Sequence, residues 1–380
     1  SANPSGSSDF AMKLFAQSTK YNTGVESRNN ILISPFSAYA ALSMTLNGSA
    51  GKTRDQMAKV LGTNSEGIDA LNKKLQSEFA ALSANNDKVK LEIANAVYAD
   101  SGTPFKSSFI DLCKQYYGAQ VQNVDFRKPE TLEMINSWCD TKTHGKITKI
   151  LDKLLAREKM VLLNAVYFKG KWERQFKTES TQDDKFRLLS GERVPIKMMH
   201  QSGQFSYLKG QNFQALSLPY AEKKQSLYLF LPNDGVDLPG FCGAFTTDNW
   251  KQWMTSFHST RAIVSLPKFT VNFSTELSSA LKVMGMEQAF APAGANFSNM
   301  IGSGYRAWIS RVLQKTYMDV NEEGTEAAAV TAVVVATRRA VVAEPPPVQF
   351  RVDHPFVLAL TDNDTGEILF LGLILEPTHS

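Results

Sequence analysis

Two apolar, β-branched stretches, Val312–Val320 (VLQKTYMDV) and Phe350–Leu360 (FRVDHPFVLAL), read as strands, and the chain between them runs for about thirty residues without a helical period. A connection of that length in a compact domain is uncommon and is usually functional. Its residues narrow the choice. Glu322, Glu323, Gly324 and Glu326 read as an exposed, flexible hinge, and Ala327–Ala336 is small or β-branched with no charge, Gly or Pro. Such a run can join the interior of a sheet as a strand. Strand side chains alternate, so Glu326 assigns the even positions, Ala328 among them, to solvent. Thr325, Ala327, Ala329, Thr331, Val333 and Val335 are then left for a core, and none is large or ionised. A pair of long cations, Arg338 and Arg339, follows at once. The plain alternative, an ordinary buried strand or an Ala-rich helix start, does not account for the two flanking strands.

Composition bounds the rest. The 380 residues suffice for one large domain or two ordinary ones, and 43% hydrophobic with 21% charged residues is normal for a soluble globular chain. No apolar run approaches the ~20 residues of a membrane span. A net charge of +4, without aromatics interleaved among the basic residues, gives no reason to expect nucleic acid. The start, SANPSGSSD, is polar and turn-rich, as after removal of a signal peptide. Cys113, Cys139 and Cys242 cannot all pair within the chain, and their spacing matches neither a zinc site nor a redox motif. They read as buried free thiols, with one disulfide left open. Sequons at Asn47, Asn272, Asn296 and Asn363 favour a secreted glycoprotein.

In order, helices are expected at 8–23, 51–61, 65–82, 104–117 and 132–144, with His144 beside Gly145 as a helix-end residue. Asn29–Met44 reads as a short strand that turns at Ser34–Pro35 into a helix, with Ser34 as cap and Pro35 in the first turn. Val89–Ala99 reads as a strand. Met160–Phe168 (MVLLNAVYF) is apolar almost throughout, as a strand buried on both faces should be, so Asn164 inside it needs a hydrogen-bond partner. Beyond residue 180, strands are expected at 185–187, 194–199, 205–209, 213–219, 226–230, 263–267 and 269–273, and helices at 248–256 and 275–284. Helices crowd the first half and strands the second, which argues an α+β fold with large sheets, and no repeat or linker divides residues 1–380.

EEGTEAAAVTA resembles the reactive-loop hinge of the serpins, the serine protease inhibitors, and FRVDHPFVLAL resembles their C-terminal signature. NILISPFSAYAALSM, the LxxANAVY pattern in Val89–Ala99, WCDTKTHGKI and NAVYFKGKWERQF resemble further serpin segments, so the likeness covers about residues 8–377. The resemblance implies a helix-rich first half, a large central sheet plus two further sheets, and an exposed reactive-centre loop at about 322–345. In that family a protease cuts the loop, which then inserts into the central sheet. The resemblance implies shutter positions at Asn30, Ser34 and Ser37, with Asn164 and Gln314 near them, and a breach residue at Trp172. Gln314 stands where many vertebrate serpins have histidine, which implies an altered pH response. SPFSAYAALSMTL and FRVDHPFVLAL resemble arthropod, particularly tick salivary, serpins, which implies secretion in saliva.

The family counts fourteen residues from the hinge glycine to the residue that is cut, and from Gly324 that is Arg338. Cleavage between Arg338 and Arg339 is expected, by a trypsin-like protease whose buried carboxylate holds the cation. Cleavage after Arg339, or within Val335–Thr337 by an elastase-like enzyme, are the alternatives, and a non-inhibitory carrier or chaperone role is the rival function. A catalytic role is disfavoured, because the chain has no G-x-S-x-G, H-E-x-x-H, phosphate loop or dinucleotide motif, and its five histidines are scattered singly. No cofactor or metal is expected. The expected partner is a trypsin-like serine protease in a covalent one-to-one complex with a monomeric inhibitor. Lys142, Lys146, Lys149, Lys153, Arg157 and Lys159 around the helix end near Gly145 read first as a solvated basic face, with weak glycosaminoglycan binding as the alternative.

Overall fold

The computed structural model describes residues 5–84, 86–323 and 345–378. The first part of the chain runs through α1 (Ser5–Thr19), β1 (Ile31–Ile33), α2 (Pro35–Leu46), α3 (Gly51–Val60), α4 (Ile68–Leu82), β2 (Val89–Asp100), α5 (Ser107–Tyr117), β3 (Gln120–Val124), α6 (Pro129–Lys142) and β4 (Met160–Gly170). The second part is mostly strand: β5 (Gln182–Arg187), β6 (Arg193–Lys209), β7 (Phe213–Pro219), β8 (Gln225–Pro232), β9 (His258–Pro267), β10 (Phe269–Glu276), β11 (Ile309–Val320), β12 (Val348–Arg351), β13 (Phe356–Asp362) and β14 (Ile368–Ile374). Short helices α7 (Leu238–Gly243), α8 (Thr247–Ser256), α9 (Ser278–Leu281) and α10 (Glu287–Phe290) fill the connections. Helices before strands is the α+β arrangement expected.

The central sheet has five strands in the order β10-β11-β4-β2-β3. β4 is its middle strand and is buried from Met160 to Phe168. Its side chains alternate between two cores. Met160, Leu162, Val166 and Phe168 enter the main core, whereas Val161, Leu163 and Ala165 face a smaller one with Ile135 and Cys139 of α6 and Ile147, Ile150 and Leu151 after it. A continuous apolar run is what two covered faces require. α2 is buried along its whole length, and its small residues Ser37, Ala38, Ala40, Ala41 and Ser43 let it lie close under the sheet.

The remaining strands form one nine-stranded sheet, β1-β14-β13-β8-β7-β6-β9-β12, with β5 on β6. The two further sheets expected from the resemblance are therefore continuous among the described residues. The reason is β6, whose first residues pair with β5, whose last pair with β7, and whose middle and end pair with β9. The separate strands expected at 194–199 and 205–209 are one ribbon, carried through Gly203 at φ 156°.

Other boundaries moved for identifiable reasons. The strand expected over Phe350–Leu360 is two, β12 and β13, because Pro355 has no N–H to give a ladder. The helix expected at 275–284 begins as strand, since Thr275 and Glu276 still pair with Gln314 and Leu313. Ser34 precedes α2 but makes no side-chain cap; its hydroxyl donates to the Leu369 carbonyl instead, 2.6 Å away. β3 and α7 had no clear sequence signal. β3 (QVQNV) is mostly polar and half-buried at the sheet edge, and α7 (LPGFCG) holds two glycines and a proline.

Candidate functional site: the seam between two parallel strands

β4 and β11 are parallel and pair directly, from Ile309–Met160 to Met318–Phe168. The strands that flank this pair, β10 on β11 and β2 on β4, are antiparallel to it, and β2 is again parallel to β3. The geometry has a consequence. A chain that leaves the end of β11 and folds straight back must run antiparallel to β11, and therefore antiparallel to β4 as well. The seam can accept such a strand with correct pairing on both sides.

A row of polar side chains closes this seam from beneath. Asn95, Asn164, Gln314 and Thr275 lie in register across β2, β4, β11 and β10. The Asn164 amide donates to Asn95 Oδ1 and to the Ser37 hydroxyl of α2. The Gln314 amide donates to Asn164 Oδ1 at 2.6 Å and to the Ser34 carbonyl at 3.0 Å, and Gln314 Oε1 accepts from the Ser34 N–H at 2.8 Å. Beside it the Thr316 hydroxyl donates to the Leu32 carbonyl at 2.7 Å. Apart from half-buried Thr275, every one of these side chains is buried, so each bond offsets the desolvation cost of two groups. The Gln314–Asn164 bond spans the two strands that would have to part.

The exit from β11 is held from the side. The Trp172 indole N–H donates to the Asn321 carbonyl at 2.8 Å, and its backbone N–H to the Glu323 carbonyl at 3.3 Å. Trp172 is 2% exposed and stacks on Tyr220 with ring centroids 4.3 Å apart. Glu322, expected to be exposed, is 9% exposed. Lys268 Nζ lies 2.9 Å from one carboxylate oxygen, and the Thr181 hydroxyl donates to the other at 2.9 Å. Burial would raise this carboxyl; the hydrogen bonds from Lys268, its own backbone and Thr181 outweigh it and hold the group below its ordinary value. Glu323 is exposed and sits 3.6 Å from Lys169.

The structure thus brings together Ser34, Ser37, Asn164 and Gln314 as one network, and Trp172, Glu322 and Glu323 as a second group above it. Asn30 belongs to neither. Its amide donates to the Glu376 carbonyl and accepts from the Leu375 and Glu376 N–H groups, tying β1 to the end of β14. Gly324, Thr325, Glu326, Ala327, Ala328, Ala329, Arg338 and Arg339 lie outside the described residues, as do Val335–Thr337. Asn95, Thr316, Thr181 and Lys268 were missed. Asn95 carried a signal, a polar residue in an otherwise apolar strand in register with Asn164, whereas the other three meet the site only through distant pairing.

All three cysteines are free and buried, which closes the disulfide question; burial pushes the Cys139 and Cys242 thiols up to about 12 and raises Cys113 further. Among the sequons, Asn272, Asn296 and Asn363 are exposed and Asn47 is half-buried. The Asn47 amide nitrogen is bonded to Ser43 and Asn72, and that of Asn363 to Lys223 and Ser226. A glycan at either site would have to break those bonds. The basic residues near Gly145 do not converge. Lys149 pairs with Asp152 at 2.9 Å, Lys159 with Asp100 at 3.3 Å, and Lys142, Lys146 and Arg157 line three different hollows.

The comparison with protein families decides what this seam is. A model of the serpins, the serine protease inhibitors, matches residues 5–377. The chain belongs to the serpin family. It is 33% identical to Serpin B6 of Macaca fascicularis over 96% of this chain and 97% of that protein. It is 35% identical to the leukocyte elastase inhibitor of Bos taurus, over 97% of each. Its fold is similar to that of the thermophilic serpin tengpin in the native state, with a TM-score of 0.85, 30% identity, and 98% and 94% of the two chains covered. Its family is one of serine protease inhibitors.

Proposed function

We propose that this serpin is a suicide-substrate inhibitor of trypsin-like serine proteases, cut between Arg338 and Arg339. The observation that carries the reading is the directly paired, parallel β4–β11 seam, adjoining a hinge whose next core-side residues, Thr325, Ala327 and Ala329, are small enough to enter it. The protease serine attacks the Arg338 carbonyl carbon; the bond to the Arg339 nitrogen breaks, that nitrogen leaves protonated, and an ester remains. The cut frees residues 324–338 from their C-terminal tether. Thr325–Thr337, extended at ~3.3 Å per residue, supplies roughly 40 Å of strand. It replaces a parallel pair by two antiparallel ones, which are slightly more stable per residue. Ladder bonds at about 1 kcal/mol net each and buried valines at ~1.5–3 kcal/mol each give a gross gain of order 10 kcal/mol, reduced by ordering entropy. The attached protease is carried along. Losing its oxyanion hole alone slows an acyl-enzyme by ~10²–10³, and the ester is stranded.

Incubation with trypsin is expected to give an SDS-resistant complex near one-to-one stoichiometry, with Arg338→Ala lowering the inhibition rate by orders of magnitude. Cleaved fragments with no complex would refute inhibition and leave a carrier or chaperone role. Unchanged inhibition by Arg338→Ala would move the cut to Arg339 or upstream. A second reading, cleavage within Val335–Thr337 by an elastase-like protease, is favoured by the 35% identity to a leukocyte elastase inhibitor, and intact-mass mapping of the fragments separates the two. We read the protein as secreted and monomeric; the exposed sequons Asn272 and Asn296 support the first point.

A further inference from the structure

The front of the central sheet carries a second feature that the inhibitory reading does not use. A hollow of about 210 Å³ opens between β2, β4 and the end of α6, and five lysines line it: Lys88, Lys90, Lys146, Lys169 and Lys171. Among the described residues, the one carboxylate on its wall is Asp87. The arrangement follows from register. β2 and β4 are antiparallel with Val89 opposite Gly170, so Lys90 stands directly across from Lys169, and Lys88 meets Lys171 through a 2.7 Å backbone bond. Like charges directly opposite each other destabilise a sheet. Nearby carboxylates only partly relieve this. Glu222 lies 3.8 Å from Lys88, Glu323 lies 3.6 Å from Lys169, and Glu92 is bonded to His144 at 3.0 Å. Among the described residues, Lys90, Lys146 and Lys171 are in no ion pair. The floor is aromatic: Tyr167 stacks on Tyr317 with centroids 5.5 Å apart, and Lys146 lies over the Tyr317 ring.

We propose that this hollow is a binding site for a small polyanion bearing several phosphate or sulfate groups. Such a ligand takes charge-assisted hydrogen bonds from several lysines at once and removes the repulsion between Lys90 and Lys169. Of the basic residues around the end of α6 the hollow takes Lys146, while Lys142, Lys149, Lys153, Arg157 and Lys159 are not part of its lining. It also touches the seam. Lys169 is shared with Glu323 at the hinge, and Tyr167 and Tyr317 belong to the two strands, β4 and β11, that must part. A polyanion that engages Lys169 competes with Glu323 for it.

Calorimetric titration of the full chain with tripolyphosphate and with a heparin-derived hexasaccharide, at physiological ionic strength, tests the site without any protease. Its result is therefore independent of whether the protein inhibits one. At least one of the two is expected to bind, and which one identifies the source of the anionic groups. Lys90→Ala/Lys169→Ala is expected to weaken binding by about tenfold or more, in keeping with two lost charge-assisted bonds, and Lys149→Ala/Lys153→Ala, with the same change in charge, to leave it nearly unchanged. Without ligand the first variant is expected to melt no lower than the parent, which verifies its fold. Binding of neither polyanion, or equal loss in both variants, would overturn the proposal.

Discussion

Asn164 could not sit in an apolar strand without a partner, and the partners it found tie three strands and a helix together through single hydrogen bonds. Gln314→Leu leaves Asn164 Oδ1 and the Ser34 N–H buried without their bonds. At ~1–3 kcal/mol for each orphaned group, a loss of roughly 2–6 kcal/mol is expected, read as a lower midpoint in denaturant. A second residue-scale prediction concerns Glu78. Burial pushes its carboxyl up to about 7, with the charge of Glu367 adding and Lys74 opposing. A carboxyl raised above its unfolded value favours the folded state in its protonated form. Its contribution is complete below about 4.5 and is lost as pH rises through about 7. Glu78→Gln is expected to flatten the decline in melting temperature across that window and to stabilise the protein on its alkaline side. At this scale the sequence was legible where a residue broke a pattern. Asn164 stood out among apolar neighbours, as Asn95 could have. Ser34 misled, because a serine before Pro35 satisfies the rule for a cap, and only the packing of β14 against it shows that its hydroxyl is committed elsewhere.

The element that matters most is the end of β11. Its strand character was legible from VLQKTYMDV, but its immobilisation was not. Glu322 and Glu323 look solvated in any composition-based reading; Glu322 is buried because Lys268, between β9 and β10, and Thr181, before β5, come to it from other parts of the chain. Trp172 then holds the next carbonyls. Under the proposed inhibition, strand entry would start from this anchored point, and the first residues beyond it would control whether it proceeds. Thr325→Arg is expected to turn the inhibitor into a substrate, since a charge cannot enter the sheet without a large desolvation cost. The readout is the ratio of covalent complex to cleaved inhibitor on a denaturing gel, and an unchanged ratio would remove insertion from the mechanism.

At the scale of the molecule, the five-stranded sheet is covered unequally. Beneath it lie α2 and the main core; in front lie α6 and the segment after it, through Ile135, Cys139, Ile147, Ile150 and Leu151. Val161 and Leu163 of β4 and Leu313 and Tyr317 of β11 meet that thinner layer from either side of the seam, so a new strand must displace part of it. The α+β class, the central strand buried on both faces and the long connection after β11 were legible because each is a local pattern. The merging of the outer strands into one sheet through β6 was not, because pairing partners are set by tertiary contacts. The account rests on the intact chain being held above a more stable arrangement that adds a strand between β4 and β11. Thermal unfolding of the protein before and after a single cut in the reactive loop measures this most directly. The nicked form is predicted to melt higher by on the order of 10 °C or more, from a gain of order 10 kcal/mol spread over the unfolding entropy of a chain this size. A nicked form that melts at or below the intact one would contradict it.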